Sequence, residues 1–89
     1  MNFKITLSKS AEKAVAKGKI PRAKLDGLLE RFIQKMDGKD VRIDFKELKG
    51  VWRGYYRIRS RDWRIILKPD FLNKAIFIKR IGTRGDVYK

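Results

Sequence analysis

Arginine residues are concentrated in one short stretch of the chain, and three of them, Arg57, Arg59 and Arg64, lie within eight positions. The alternation of apolar and polar residues around them predicts two β-strands joined by a tight turn at Arg61 and Asp62. With these two residues at the centre of the turn, Arg59 lies opposite Arg64, and the three arginines face one side of the hairpin. A guanidinium group offers five N–H donors in a planar fork that matches a phosphate group. The spacing therefore indicates an anion-binding patch.

Pairing across this turn also determines which residues share each face. The expected pairs are Ser60 with Trp63, Arg59 with Arg64, Ile58 with Ile65, Arg57 with Ile66, and Tyr56 with Leu67. The apolar side of the hairpin belongs to a core, while the arginines share the opposite side with Tyr55, Ile66 and Lys68. Tyrosine at that position is suited to stack on a nucleobase. Basic residues also protect an exposed sheet from aggregation, so the anion site and this simpler interpretation both stay open.

The whole chain is strongly basic, because 24 Lys and Arg residues against 10 Asp and Glu residues give a formal net charge of +14. Its 89 residues accommodate one domain, residues 1–89, with a single small core. So large a charge opposes compaction by self-repulsion and is better tolerated beside an anionic partner. Nucleic acid, an acidic protein and an anionic membrane surface are candidate partners. A charge that serves solubility alone is the remaining interpretation.

Two residue types are missing, since the sequence contains no cysteine and no histidine. This excludes disulfide scaffolds, thiolate nucleophiles, zinc sites built on Cys or His, and histidine acid–base catalysis. No apolar run reaches the roughly 18 residues of a membrane helix, and no signal-peptide pattern opens the chain. We therefore expect a soluble protein of the cytoplasm.

Hydrophobic periodicity predicts the elements that hold the hairpin. In chain order they are a strand at 3–7, a helix from an N-cap at Ser8 to Gly18, a helix from Pro21 to Gly38, a strand at 41–46, the hairpin at 55–67 and a strand at 75–81. The second helix carries an apolar stripe that consists of Leu25, Leu28, Leu29, Phe32 and Met36. We expect the hairpin to end at Pro69-Asp70, an irregular tail from Gly82, and core positions for Trp63 and Phe77.

This order predicts an α+β domain, in which two helices from the N-terminal half pack on one face of a small, twisted, mainly antiparallel sheet. Its simplest form is β-α-α-β-β-β, and the pattern allows three or four strands after the helices.

At the hairpin the sequence resembles the RelE/ParE superfamily of bacterial toxins from toxin–antitoxin systems. The similarity runs from Leu48-Lys49-Gly50, through residues 56–66, to the segment Ile81-Gly82-Thr83-Arg84-Gly85-Asp86-Val87-Tyr88. The predicted order of elements also agrees, so the resemblance covers essentially the whole chain, with the first 40 residues matching as a pattern only. It implies a RelE-like toxin domain.

RelE-like members cut mRNA in the ribosomal A site by attack of a ribose 2′-hydroxyl on the adjacent phosphate, which leaves a 2′,3′-cyclic phosphate. They require neither a metal nor a covalent enzyme intermediate. The resemblance implies that Arg57 and Arg59 clamp the scissile phosphate, Arg64 offsets charge in the transition state, and Arg84 assists the leaving 5′-oxygen. It gives Tyr88 the role of proton acceptor or stacking partner. Further RNA contacts are expected at Lys49, Tyr55, Lys68 and Arg80.

The general base is the main departure from this family. RelE-like members carry lysine at one or both of the positions held here by Arg57 and Arg59, and arginine does not lose its proton in a protein. The base therefore rests on Tyr88 or on a group of the ribosome, with Lys68 as a weaker candidate. A possible carboxylate pair, Asp44 and Glu47, is interpreted as ordinary surface charge.

Two other functions stay open beside an mRNA-cleaving toxin. A ParE-like toxin that acts on DNA gyrase would share the fold, although such members generally lack the arginine and tyrosine constellation. A non-catalytic module that binds RNA or DNA is the other alternative. For the toxin we expect a cognate antitoxin with an acidic or partly disordered segment, and contacts with mRNA and ribosomal RNA, but no membrane partner.

Overall fold

The computed structural model of the protein describes residues 2–83. Within that range the chain forms β1 (Lys4–Leu7), α1 (Lys9–Ala16), α2 (Arg22–Met36), β2 (Asp44–Glu47), a 3₁₀ turn (Gly50–Trp52), β3 (Tyr56–Arg59), β4 (Trp63–Asp70) and β5 (Ala75–Thr83). The predicted order is confirmed, with four strands after the helices. None of the helices in this range has the length and apolar character needed to cross a membrane.

The five strands form one mixed sheet in the order β1-β5-β4-β3-β2. Strand β1 pairs in parallel with β5, and the other neighbouring strands are antiparallel. Strands β3 and β4 form the predicted hairpin, in which Arg59 pairs with Arg64 and Arg57 pairs with Ile66. The register predicted from the turn is therefore confirmed.

Both helices have apolar faces that contribute to one core with the sheet. Its buried members are Ala11, Ala14, Ile20, Leu25, Leu28, Leu29, Phe32, Ile58, Ile65, Leu67, Ile76, Ile78 and Ile81. Phe32 is fully buried, and its ring meets those of Phe45 and Tyr56 edge-on at centroid distances of 5.7 and 5.4 Å. Met36, the last residue of the predicted stripe, is 37% exposed because α2 ends there.

A β-bulge in β5 changes which side chains face the core. Ile66 pairs with Arg80, whereas the next residue, Leu67, pairs with Ile78, so Lys79 is the extra residue of the bulge. Regular alternation from Ile78 would have turned Arg80 into the core. The bulge instead places Arg80 on the arginine face and allows Ile81 to be buried.

Ser8 links this bulge to the first helix. As the predicted N-cap of α1, its Oγ accepts a hydrogen bond from the Ala11 N–H at 3.1 Å. The same hydroxyl donates to the carbonyl oxygen of Lys79 at 2.6 Å. One side chain therefore satisfies a helix terminus and a bulge carbonyl at once.

Replacement of Ser8 by alanine should lower the free energy of unfolding by about 1–3 kcal/mol, because both hydrogen bonds are lost. Urea denaturation monitored by tryptophan fluorescence measures this change. Ser8→Thr keeps the hydroxyl and should recover most of the loss. Equal stability of the wild type and Ser8→Ala would contradict the dual role.

The hairpin ends before Pro69-Asp70 as predicted, since β3 pairs with β4 only as far as Leu67, while β4 itself continues to Asp70 beside β5. Three other local predictions differ from the structure. The strand predicted at 41–46 is β2, at Asp44–Glu47. Strand β5 continues through Gly82 and Thr83. Phe77 alternates with the buried Ile76 and Ile78, so it lies on the opposite face of the sheet and is half-buried there.

Candidate anion-binding site

The three hairpin arginines lie on the sheet face opposite the helices, and two of them share one carboxylate. Asp44 on β2 pairs directly with Arg59 on β3. Its Oδ2 is 2.6 Å from the Nε of Arg59, and its Oδ1 is 3.4 Å from an Nη of Arg57. The guanidinium groups of Arg57 and Arg59 therefore converge on the same point of the sheet face.

A shallow depression of about 330 Å³ opens at the end of the hairpin. It is lined by Asp44, Arg59, Ser60, Arg61 and Arg64. Three arginines against one aspartate give this depression a net positive charge, which suits an anionic ligand. Arg61 was predicted only as a turn residue, and its part in this lining was missed.

Arg64 is held at the turn by main-chain hydrogen bonds. One of its Nη atoms donates to the carbonyl oxygens of Ser60 and Trp63, at 2.7 and 3.0 Å. The turn itself is closed by the Ser60 N–H, which donates to the Trp63 carbonyl at 2.9 Å. These contacts orient a half-buried guanidinium at the depression without an acidic partner among residues 2–83.

Arg57 lies deeper in the sheet face than Arg59. Its side chain is 17% exposed, against 50% for Arg59. It belongs to a row that crosses three strands, in which Ile66 lies between Arg57 and Arg80. The Nε of Arg57 is buried and finds no hydrogen-bond acceptor among residues 2–83. A buried N–H of a charged group without a partner is unfavourable, and the charge of an anionic ligand beside this guanidinium would offset part of that cost.

An aromatic and a basic residue extend this surface beyond the arginines. The Nζ of Lys68 lies 5.7 Å from the ring centroid of Tyr55, and Trp52 meets the same ring edge-on at 5.6 Å. Both Tyr55 and Trp52 are half-buried, while Lys68 and Lys49 are exposed. Lys49 precedes the 3₁₀ turn that carries Trp52. Tyr55 and Lys68 thus lie on the predicted face, where a stacked base would find an aromatic ring and a cation.

Asp44 is the residue of this site that sequence reasoning misjudged. It was expected to be an ordinary surface charge, and it instead contacts two of the three arginines. The alternation at 41–46 predicts the side of the sheet on which Asp44 lies. No turn signal in the sequence predicts which residues of β3 pair with β2. The predicted catalytic residues Arg84 and Tyr88 lie outside the described residues.

Comparison with known proteins gives matches among solved structures only, since no protein-family model and no curated protein matches this sequence. A chain of the RelBE2 toxin–antitoxin complex from Mycobacterium tuberculosis is 18% identical with a TM-score of 0.61, and the match covers 94% of this chain and 100% of that chain. The RelE–RelB complex from Pyrococcus horikoshii matches at 25% identity and a TM-score of 0.57, with 97% and 99% covered.

A third match is the YoeB–YefM complex from Staphylococcus aureus, at 21% identity and a TM-score of 0.61, with 91% of this chain and 95% of that chain covered. All three structures are complexes of two proteins, and the first is described as a toxin–antitoxin complex. The predicted α+β fold class is confirmed, and so, for the fold, is the resemblance to RelE-like toxins.

Proposed function

Because this chain has the fold of RelE-like toxins, we propose that it is the toxin of a type II toxin–antitoxin system that cleaves mRNA on the ribosome. The observation that best supports this activity is the convergence of Arg57 and Arg59 on one point beside the depression that Arg59 shares with Arg64. Guanidinium groups so arranged suit one phosphodiester, whose charge increases as the ribose 2′-oxygen attacks.

In the proposed reaction, the 2′-oxygen forms a bond to phosphorus while the bond to the 5′-oxygen breaks. Arg57 and Arg59 hold the phosphate, and Arg64 stabilises the additional charge of the transition state. Arg84, by resemblance, donates a hydrogen bond to the departing 5′-oxygen. The 2′-hydroxyl gives its proton to a base and the departing 5′-oxygen takes one from water, so that the products are a 2′,3′-cyclic phosphate and a 5′-hydroxyl.

The base is proposed to be Tyr88 or a group of the ribosome. Tyr56 is a poor candidate, because burial and then the nearby Glu47 raise its pKa above the ordinary value. Tyr56 also packs against Phe32 on the core face, away from the arginines.

We further propose a cognate antitoxin as the partner of this surface. The matched structure from Mycobacterium tuberculosis is a toxin–antitoxin complex, and the net charge of +14 favours an acidic segment. Such a segment would cover the arginines and exclude RNA.

Induced expression in a bacterial host, followed by mapping of mRNA 5′ ends, tests the proposed activity. We expect growth arrest and cuts in register with the reading frame of translated messages, with 2′,3′-cyclic phosphate on the upstream fragments. Arg84→Ala and Tyr88→Ala should each remove most of the cuts. Intact messages accompanied by DNA damage would instead support a gyrase-directed toxin, and intact messages with RNA binding would support a non-catalytic module.

A further inference from the structure

Asp44 connects two arginines of the candidate site, and we propose that it is a positioning residue for the phosphate-binding arginines. The proposal rests on the proposed function for its catalytic consequence, while the arrangement of the side chains stands on contacts within the described chain. Asp44 orients Arg59, and more weakly Arg57, and its negative charge also weakens the binding of RNA before reaction.

The contacts of Asp44 leave most arginine donors available. Each guanidinium group has five N–H donors, and Asp44 contacts only the Nε of Arg59 and one Nη of Arg57. The hydrogen bond between Asp44 and Arg59 uses the Nε of Arg59, and neither of its Nη groups. The carboxylate therefore orients the fork of Arg59 by one edge and leaves the other edge for a phosphate.

The position of Asp44 in the sheet fixes its contact with Arg59. Asp44 is directly opposite Arg59 in the β2–β3 ladder, and Arg59 is directly opposite Arg64 in the next ladder. Without the carboxylate of Asp44, Arg59 would still face the like charge of Arg64 on β4. It would have no opposite charge beside it on β2. Repulsion between arginines would then move the exposed guanidinium of Arg59 toward solvent.

The charge of Asp44 has a second, opposite effect on RNA. It lines the same depression as Arg59, Arg61 and Arg64, so a bound phosphate lies near a carboxylate as well as near cations. Removal of one negative charge should strengthen ground-state binding, while the loss of orientation should slow the reaction. One substitution is thus expected to change affinity and rate in opposite directions.

The test uses the full chain with Asp44→Asn, which keeps the size of the side chain and removes its charge. Asp26→Asn is the matched control, because Asp26 also contacts an arginine Nε, that of Arg22 at 3.1 Å, and the two aspartates are 45% and 44% exposed. A short 2′-O-methyl RNA, which cannot be cleaved by 2′-hydroxyl attack, reports affinity by fluorescence anisotropy. Single-turnover cleavage on programmed ribosomes reports the rate, and the ¹⁵Nε–Hε signal of Arg59 reports its orientation.

For Asp44→Asn we expect about threefold to tenfold tighter RNA binding at low salt, an effect that salt suppresses. We also expect cleavage to slow at least about tenfold, as for the loss of one oriented interaction. The Arg59 signal should exchange slowly with water in the wild type and in Asp26→Asn, and rapidly in Asp44→Asn.

Unchanged or weaker RNA binding, an unchanged cleavage rate in an active enzyme, or an unchanged Arg59 signal would each overturn the proposal. It would also be overturned if the residual cleavage by Asp44→Asn lacked the acidic limb of the wild-type pH–rate profile, because Asp44 would then accept the proton itself. A wild-type chain that cleaves no message refutes the proposed nuclease. The affinity and the Arg59 signal would then still decide the role of Asp44.

Discussion

For the proposed nuclease, we expect replacement of Arg59 by alanine to abolish growth arrest and to lower the rate of mRNA cleavage by about 10²–10³-fold, the usual effect of removing one donor that stabilises transition-state charge. The reason is that Arg59 lines the depression and is the arginine most strongly oriented by Asp44. Its side chain is 50% exposed, so the free energy of unfolding should change by only about 0.5 kcal/mol. Cleavage is measured in single turnover, and stability by urea denaturation.

Arg22→Ala provides the control for this substitution. Arg22 is 53% exposed and pairs through its Nε with Asp26, but it lies at the start of α2. The Arg22→Ala substitution removes one positive charge, as Arg59→Ala does. Any loss of cleavage activity that the two variants share therefore reflects net charge alone. Equal activities of the two variants would eliminate Arg59 from the candidate site.

Replacement of Phe32 by alanine has the largest expected effect on stability, a loss of about 3–5 kcal/mol in the free energy of unfolding. Phe32 is fully buried between α2 and the sheet, and its ring contacts those of Phe45, Tyr56 and Phe71. The free energy of unfolding of a small domain is about 5–15 kcal/mol, so this substitution removes a large part of it. Urea denaturation of purified protein measures the change.

Leu72→Ala is the matched control, since Leu72 is 92% exposed and its truncation should change stability by no more than about 0.5 kcal/mol. If Phe32→Ala proves too unstable to purify, Phe32→Leu should retain the fold with a smaller loss. A loss for Phe32→Ala no larger than that for Leu72→Ala would contradict the packing described for α2.

The hairpin was predictable because several local signals agree. Alternation set the faces of β3 and β4, and the turn at Arg61 and Asp62 set their register. The helices were predictable for the same reason, since Ser8 begins one and Gly18 and Gly38, with φ of 72° and 86°, follow the two ends.

The remaining features depend on contacts between distant segments. The bulge at Lys79 has one signal in the sequence. The buried residues Ile78 and Ile81 are three positions apart, whereas side chains on the same face of a regular strand are two positions apart. The hydroxyl of Ser8, 71 positions away in the sequence, donates the hydrogen bond to the Lys79 carbonyl of this bulge. The contact of Asp44 with the arginines likewise depends on a ladder between β2 and β3 that no tight turn specifies.

The position of β5 between β1 and β4 has a consequence for the synthesis of the protein. Among the strands of residues 2–83, β1 is made first, and its neighbour in the sheet is β5 (Ala75–Thr83), the last of these strands to be made. A nascent chain that has not yet released those residues from the exit tunnel cannot close its sheet or cover its isoleucines. Closure of the sheet is therefore a late step in the folding of this chain, because it requires β5.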